Sequence, residues 1–276
     1  MSATGPNREL PRASTAPPPV LAARGLAVTY PGGKEGLAPL DLTVGRGERL
    51  GVVGESGSGK STLVRALAGL EPHARGEVRA GKLPVLAPGR EARRARARHL
   101  QMIFQDPYHS LNPRHSVRRI LREALAVRPD PPRADALETE AVELLRSVRL
   151  DPALLDRKPH ALSGGQRQRV SIARALAPRP EVLLCDEAVS ALDVSTQGAI
   201  VRLLRALHEE RGVALVFVSH DLPLVEYLCT RLLVLAQGKR VESGPTAELC
   251  SHPQAEATRR LLGSVLRPPA EPVARA

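Results

Sequence analysis

A glycine-rich stretch at residues 54–61, with the sequence GESGSGKS, is the feature that most constrains how this chain can fold. It matches the pattern GxxxxGKS/T, in which glycines let a loop wrap around phosphate oxygens with its backbone N–H groups pointing inward. Lys60 would then bring its charge to the β- and γ-phosphates of a nucleotide, and the hydroxyl of Ser61 would reach Mg²⁺. A strand is predicted before the loop and a helix after it, so a glycine turn without a ligand is the less favoured interpretation. The residues expected to bind the nucleotide here are Gly54, Glu55, Ser56, Gly57, Ser58, Gly59, Lys60, Ser61 and Thr62.

The order of the predicted elements favours an α/β fold. Strands are predicted at 25–30, 40–44, 48–53, 182–185, 214–218 and 232–236, and helices at 61–68, 117–126, 134–149 and 197–210. Because a helix connects two of the later strands, we expect a parallel sheet with crossover connections. The helices in the middle of the chain then form an insertion, at about 106–174. The ordered domain is expected at 21–250, between a disordered Pro-rich tail at 1–20 and a C-terminal extension at 251–276.

The formal net charge of +11 leaves three interpretations open. It could reflect phosphate contacts with nucleic acid, docking on an anionic membrane face, or a solvated surface in a chain rich in arginine. We favour the last, and nucleic acid least, since neither aromatic platforms nor zinc-ligand spacings accompany the charge. The three cysteines are widely spaced and predict free thiols in a reducing compartment. No apolar run approaches the ~18 residues of a membrane span, and the N-terminus has no apolar signal region. We therefore expect a cytoplasmic protein.

A second motif, LSGGQRQR at residues 162–169, narrows the possibilities. Ser163 and two glycines ahead of a predicted helix can form another anion cradle, although a plain helix N-cap is the simpler alternative. The motif resembles the signature sequence of ABC ATPases. In that family the signature of one subunit completes the ATP site of a second subunit. The resemblance therefore implies that Ser163, Gly164, Gly165 and Gln166 contact an ATP held mainly by a partner.

A third motif, VLLCDE at residues 182–187, is an apolar strand that ends in two carboxylates. A buried strand ending in Asp186 would place a carboxylate beside the glycine-rich loop, where it can hold Mg²⁺ directly or through water. Glu187 would then lie next to the γ-phosphate as general base for the attacking water. A strand that merely happens to end in acids is common by itself, but not together with the other two motifs.

Four single residues take their expected roles from the same resemblance. Gln105 falls where the family has a glutamine that contacts water and Mg²⁺, and His220 where a histidine contacts the γ-phosphate. Asp193 matches a loop at the dimer interface, and Tyr30 the aromatic residue that stacks on adenine. Taken singly, each is more often a polar loop residue, a strand-end histidine, a helix cap or a half-buried tyrosine. Their order around the three motifs favours the functional interpretation.

Two further stretches resemble one branch of the family. Residues 104–114, FQDPYHSLNPR, are similar to the importers of oligopeptides, dipeptides and nickel, and residues 186–195 to the second of their two ATPases. The resemblance implies ATP and Mg²⁺ as cofactors and two transmembrane permeases as partners. It also implies a paralogous ATPase, or a second copy of this chain, and indirectly an extracytoplasmic substrate-binding protein. No nucleic acid is expected, and the site of action would be the cytoplasmic face of the membrane.

The fold implied is a P-loop NTPase core with an antiparallel β-subdomain at its N-terminal side and an inserted helical subdomain. A stretch that in this branch often reads HPYT is here HPQAEAT, at 252–258, without the tyrosine, so the cargo stays open between peptides, nickel and other solutes. The alternative function is a soluble ABC ATPase that acts on nucleic acid or ribosomes, or within an enzyme complex. The tandem cassettes, coiled coils or zinc cysteines usual in such proteins are not visible here.

Overall fold

The computed structural model describes residues 18–263, except for the side chains of Pro107 and His109. Its strands are β1 (Leu21–Thr29), β2 (Glu35–Val44), β3 (Arg49–Val53), β4 (Ala74–Ala80), β5 (Leu83–Pro84), β6 (Leu100–Ile103), β7 (Val182–Asp186), β8 (Ala214–Val218), β9 (Arg231–Ala236) and β10 (Lys239–Pro245). Its α-helices are α1 (Lys60–Leu67), α2 (Arg90–His99), α3 (Pro107–Ser110), α4 (Val117–Leu125), α5 (Leu137–Ser147), α6 (Gly164–Leu176), α7 (Val194–Arg211), α8 (Leu222–Leu228), α9 (Thr246–Ser251) and α10 (Glu256–Gly263). The tail expected at 1–20 and the end of the extension at 251–276 lie largely outside the described residues.

The main sheet has six strands in the order β10-β9-β3-β8-β7-β6. All neighbours pair in parallel except β10, which runs antiparallel to β9 at one edge. β7 and β8 are buried along their whole length, as expected for central strands covered by helices on both faces. The predicted α/β fold with a parallel core is thereby confirmed.

The second sheet is antiparallel and has the strand order β2-β1-β4-β5. β1 pairs with β2 on one side and with β4 on the other, and the inward side chains of these strands share a core with α1. The alternation of buried and exposed residues in β2 is typical of a sheet with one face in solvent. This sheet is the antiparallel β-subdomain implied by the sequence.

The chain between β6 and β7 is mostly helical and contains α3 to α6 with two 3-10 turns at Pro152–Asp156 and Pro159–Ala161. On α4, Val117, Leu121 and Leu125 recur every four residues and are fully buried. They form one apolar face, as an amphipathic helix requires. This face and those of α5 and α6 join the core on one side of the main sheet.

Several elements differ from the sequence-based prediction. The first strand begins at Leu21 rather than at 25, and the second at Glu35 rather than at 40. The helix predicted from 134 begins only at Leu137, because Ala136 N–H donates to the carbonyl of Arg133 in a preceding turn. Among the elements that were not predicted at all are β4, β5, β6, β10, α2, α3 and α8.

The three cysteines, Cys185, Cys229 and Cys250, are free and buried. Burial raises the pKa of the Cys185 thiol to about 12 and also raises the pKa of Cys229. Within residues 18–263, no helix combines the length and apolar character needed to cross a membrane.

Candidate functional site

Four strands of the main sheet end at the same edge, and the residues that follow them form the candidate site. β3 leads into the glycine-rich loop at Gly54, and β6 leads to Gln105. β7 ends in Asp186, and β8 is followed by His220. In the parallel register, Asp186 lies opposite Val218 at the end of β8. Ligands in α/β folds bind at this carboxyl edge of the sheet, so the fold brings together residues from distant parts of the sequence.

The glycine-rich loop needs glycine where its backbone passes close to other segments. Gly59 has φ of 101° and stands just before α1, where a Cβ would lie 2.9 Å from the carbonyl oxygen of Gly36. A Cβ on Gly54 would lie 2.2 Å from the carbonyl oxygen of Leu235. Larger residues at these two positions would displace the loop from β9 and from the antiparallel sheet.

The Lys60 side chain is folded back onto the loop. Its ammonium group donates to the carbonyl oxygens of Gly54 and Glu55, each at 2.8 Å. Burial lowers the pKa of Lys60, while the charges of Glu187 and Asp186 raise it. The ammonium thus lies in the loop that would surround the phosphates, close to two carboxylates.

Ser61 and Asp186 are in direct contact at the start of α1. The Ser61 hydroxyl donates to the Asp186 carboxylate at 2.8 Å, and Arg65 Nε lies 3.8 Å from the other carboxylate oxygen. Burial raises the pKa of Asp186, and the hydrogen bond from Ser61 and the charge on Arg65 oppose this. Arg65 was missed in the sequence analysis, although its place one helical turn after Ser61 put it on the same face of α1.

Glu187 follows β7 in a left-handed backbone conformation, with φ of 46°. Its carboxylate lies 4.0 Å from His220 Nδ1, and within the described part of the chain it accepts no hydrogen bond. The side chain of His220 is 65% exposed and that of Glu187 is 20% exposed. A strained non-glycine residue is uncommon and is often found at functional sites. The two predicted catalytic residues therefore face each other at the edge of the site, open to a ligand.

Gln105 is exposed two residues beyond the end of β6. Its side chain makes no hydrogen bond to any residue in 18–263. The preceding strand β6 lies next to β7 in the sheet, since Ile103 pairs with Cys185. The fold thus brings Gln105 to the same edge as Asp186, and its contact with Mg²⁺ stays a prediction.

Tyr30 lies beside the first turn of α1. Its hydroxyl is 3.2 Å from the Thr62 hydroxyl and donates to Glu71 at 3.4 Å, and its ring packs edge-on against His73. A Cβ on Gly36 would lie 2.4 Å from the tyrosine ring. The ring is therefore fixed near the nucleotide loop, and its stacking on adenine stays a prediction.

The signature segment lies at the start of α6. Ser163 accepts a hydrogen bond from Gln166 N–H at 3.2 Å, and the Gln166 side chain accepts one from Ser163 N–H at 2.9 Å, which forms a reciprocal cap. A Cβ on Gly165 would lie 2.8 Å from Thr196 at the start of α7. In the described structure no hydrogen bond or ion pair joins residues 163–166 to residues 54–62. The two helix starts at which phosphate binding is predicted are therefore separate in one chain.

Asp193 caps α7. Its carboxylate accepts hydrogen bonds from the hydroxyls of Ser195 and Thr196, at 2.6 and 2.7 Å, and from Thr196 N–H at 2.9 Å. These bonds, that from Ser195 most of all, lower the pKa of Asp193. The next residue, Val194, is 85% exposed. An exposed valine beside a rigid cap is suited to a subunit interface. The hydrogen bonds of Asp193 itself are those of an ordinary helix cap, which was the alternative to an interface role.

The segment after Gln105 is anchored to the signature helix α6. The Arg167 guanidinium lies 5.5 Å from the centre of the Tyr108 ring, Arg174 donates to the Ser110 carbonyl, and the hydroxyls of Ser110 and Ser171 are 3.5 Å apart. These contacts join α3 to α6, and they were not predicted from the sequence. The segment after Gln105 is therefore in direct contact with the helix that begins at the signature.

Comparisons with known proteins agree with this geometry. The sequence profile of the ABC transporter family matches residues 37–190, more than half of the chain. A Brucella ovis protein named as a peptide import ATP-binding protein is 43% identical over 254 residues, covering 91% of this chain and 80% of the relative. The nickel import ATP-binding protein NikE of Escherichia coli is 43% identical over 236 residues, covering 86% of this chain and 87% of the relative.

A solved structure shares the fold and is itself a dimer, which is the kind of assembly that the family resemblance implies for this chain. The dimeric ATP-binding cassette MJ0796, in a post-hydrolysis state bound to ADP and phosphate, superposes with a TM-score of 0.73 and is 28% identical. The match covers 82% of this chain and 98% of that one.

Proposed function

The chain belongs to the ABC transporter family and is an ATP-hydrolysing enzyme, and from this premise we propose that it powers the import of peptides or nickel across a membrane. The observation that carries the proposal is the 43% identity, over most of both chains, to a peptide import and a nickel import ATP-binding protein. The chain would work at the cytoplasmic face of the membrane, bound there through permease subunits.

The residues around the glycine-rich loop would bind ATP. The phosphates would enter the loop at 54–59, and Lys60 would exchange the carbonyl oxygens of Gly54 and Glu55 for phosphate oxygens. The positive end of α1 favours the negative charge there. Tyr30 and Thr62, which contact each other, would lie on the side of the nucleotide base.

Ser61 and Asp186 fit a magnesium ion. Mg²⁺ prefers hard oxygen ligands and keeps several waters, and the hydroxyl and the carboxylate of these two residues are already 2.8 Å apart. Gln105 would supply a third oxygen. When bound, the ion would offset the charge that develops on the phosphates.

Glu187 and His220 would carry out the hydrolysis. Glu187 would accept a proton from water as the water oxygen attacks the γ-phosphorus, and the bond to the β-phosphate oxygen would break to release ADP and phosphate. His220 would donate a hydrogen bond to the γ-phosphate. Because Glu187 Oε2 and His220 Nδ1 are 4.0 Å apart, both side chains could reach the same γ-phosphate and its attacking water.

A second subunit would complete each ATP site. Ser163 is exposed and, in the part of the chain that the structure describes, makes no hydrogen bond to the glycine-rich loop. The exposed Val194 beside Asp193 would offer an apolar contact across the interface. The MJ0796 cassette is a dimer in its ADP and phosphate complex, which supports this arrangement. The second subunit would be a paralogous ATPase or another copy of this chain.

Gentle affinity purification from solubilised membranes tests the importer function. A tagged chain should recover two membrane-spanning proteins and a second ATPase, identified by mass spectrometry, and a co-purifying binding protein should retain a peptide or nickel. A tagged soluble protein of similar charge serves as control, because the basic surface can adsorb anionic material. Recovery from the soluble fraction alone, with ribosomes, nucleic acid or a soluble enzyme, would overturn the importer proposal and leave the ATPase assignment intact.

A further inference from the structure

A cleft of about 400 Å³ lies where the helical insertion meets the main sheet, away from the nucleotide loop. Arg179 and Arg211 line it and stand just before β7 and β8, whereas the candidate ATP site follows the opposite ends of these strands. The other wall comes from α5 and from Arg128 after α4. The cleft therefore joins two parts of the fold on the side remote from ATP.

One wall of the cleft contains a buried ion pair between Arg128 and Glu140. The Arg128 side chain is 5% exposed, with Nη1 at 3.1 Å from the Glu140 carboxylate. Its Nε donates to the Ala177 carbonyl at 2.6 Å. These bonds fix Arg128 as part of the wall and balance its charge.

The other two arginines keep their donors available. Arg179 approaches the same Glu140 carboxylate only to 3.7 Å, and its side chain is 63% exposed. Arg211 has neither a hydrogen bond nor an ion pair with any of the residues from 18 to 263. Burial lowers the pKa of Arg211, as do the charges of Arg179 and Arg128, while Glu210 raises it. Two guanidinium groups thus line the same cleft, and the only ion pair that either one forms within residues 18–263 is the long contact of Arg179 with Glu140.

The backbone also holds Arg179 in place. Its φ is 58°, a left-handed conformation that non-glycine residues seldom adopt, and its N–H donates to the Leu176 carbonyl at 2.9 Å. Pro180 follows and lines the cleft. The guanidinium of Arg179 is therefore presented from a rigid segment.

Apolar side chains form the remainder of the cleft. Leu144 of α5, Leu176 of α6 and Val213 before β8 line it, and all three are buried. A cleft of about 400 Å³ lies within the usual size range of small-molecule sites, which commonly combine an apolar lining with a few polar groups that orient the ligand. Guanidinium groups bind carboxylates and phosphates through paired hydrogen bonds. Glu143, which also lines the cleft, would disfavour ligands that carry several negative charges.

We propose that this cleft binds a small organic anion, in which one acidic group, a carboxylate or a phosphate, contacts Arg179 and Arg211 and an apolar body packs on Leu144, Leu176 and Val213. Its walls belong to the helical insertion and to the main sheet, so an occupied cleft would tie the two together. The binding itself does not depend on the importer function.

Fluorine NMR on the full-length protein tests the proposal with 4-fluorobenzoate and 4-fluorophenyl phosphate, in the presence of excess ADP and Mg²⁺. ADP fills the candidate nucleotide site, and the two probes distinguish a carboxylate from a phosphate. We expect at least one probe to bind with a Kd below about 5 mM. R179Q and R211Q should each weaken binding by about tenfold, the effect of losing a charge-assisted hydrogen bond. R202Q, on the exposed face of the same helix as Arg211, is the matched control and should change the Kd by less than about twofold.

R179Q is the variant least able to disturb folding, because its side chain is largely exposed, and a thermal melt of each variant establishes that the fold is retained. Binding of neither probe up to about 10 mM would overturn the proposal. An unchanged Kd in both R179Q and R211Q, or displacement of the probes by further ADP, would overturn it as well.

Discussion

Replacing Glu187, the proposed general base, with glutamine should separate ATP binding from hydrolysis. The new side chain has the same shape, and the Glu187 carboxylate accepts no hydrogen bond within the described residues and lies 4.0 Å from His220 Nδ1. The free energy of unfolding should therefore change by less than about 0.5 kcal/mol. An amide cannot accept a proton from water, so loss of general-base catalysis should lower kcat by about 10²–10⁴-fold. That is about 2.7–5.5 kcal/mol of transition-state stabilisation.

The assay is steady-state phosphate release under saturating ATP and Mg²⁺, with nucleotide affinity measured separately on the same protein. ATP affinity should stay close to that of the parent protein, because Lys60 and the loop at 54–59 are unchanged. Glu226→Gln is the matched control, since Glu226 is exposed on α8 and distant from the loop in sequence. Turnover in Glu187→Gln within about threefold of the parent would exclude the general-base role, because such a role contributes far more.

Three further predictions concern other parts of the fold. Ser163→Ala and Ser116→Ala each remove a helix cap and should each lower the free energy of unfolding by about 1 kcal/mol, measured with denaturant. Only Ser163→Ala should also slow ATP turnover. Equal turnover in the two variants would show that Ser163 acts only as a helix cap. Arg128→Met removes the buried partner of the Glu140 carboxylate, which keeps only its 3.7 Å contact with Arg179, and should cost about 3–5 kcal/mol in the same denaturant assay. Adding Glu140→Met should restore part of that loss, and a double variant no more stable than the single one would contradict this account. Phe217→Ala empties a fully buried position in β8 and should cost about 3–5 kcal/mol, so a thermal midpoint near that of the parent would contradict the packing described.

The parts of the site that the sequence predicted are those encoded in short local patterns. The loop at 54–61 and the strand ending at Asp186 each combine a characteristic spacing with a buried apolar run. β7 and β8 were predicted nearly to the residue, because both of their faces are buried and they read as continuous apolar segments.

The elements that were missed lack such a pattern. α2 has the sequence REARRARARH and buries none of its residues, so it has no apolar face to detect. It is held instead by long-range bonds, such as those of Arg96 to the Val85 carbonyl and of Arg98 to the Val127 carbonyl. β6 has only four residues, and β4 has only two buried positions, Val78 and Ala80.

Contacts between distant segments could not be predicted from the sequence either. The Arg65 ion pair with Asp186 and the cleft at Arg179 and Arg211 depend on how strands and helices pack, and no local spacing encodes them. In the signature, by contrast, a role was predicted that the structure does not show. Gln166 was expected to contact the ATP of a partner, and in the structure it caps α6 together with Ser163. A side chain can serve both purposes only if the cap opens or a second subunit approaches its exposed side.

The three buried cysteines have a practical consequence for spectroscopy. Thiols react as thiolates, and in Cys185 and Cys229 burial keeps the thiol protonated, so maleimide and methanethiosulfonate reagents should leave the native protein unlabelled. A single cysteine introduced at Val194, which is 85% exposed, would then carry a spin label or fluorophore without a cysteine-free background. In a dimer formed by two labelled copies of this chain, the distance between the labels would report the approach and separation of the subunits during ATP turnover.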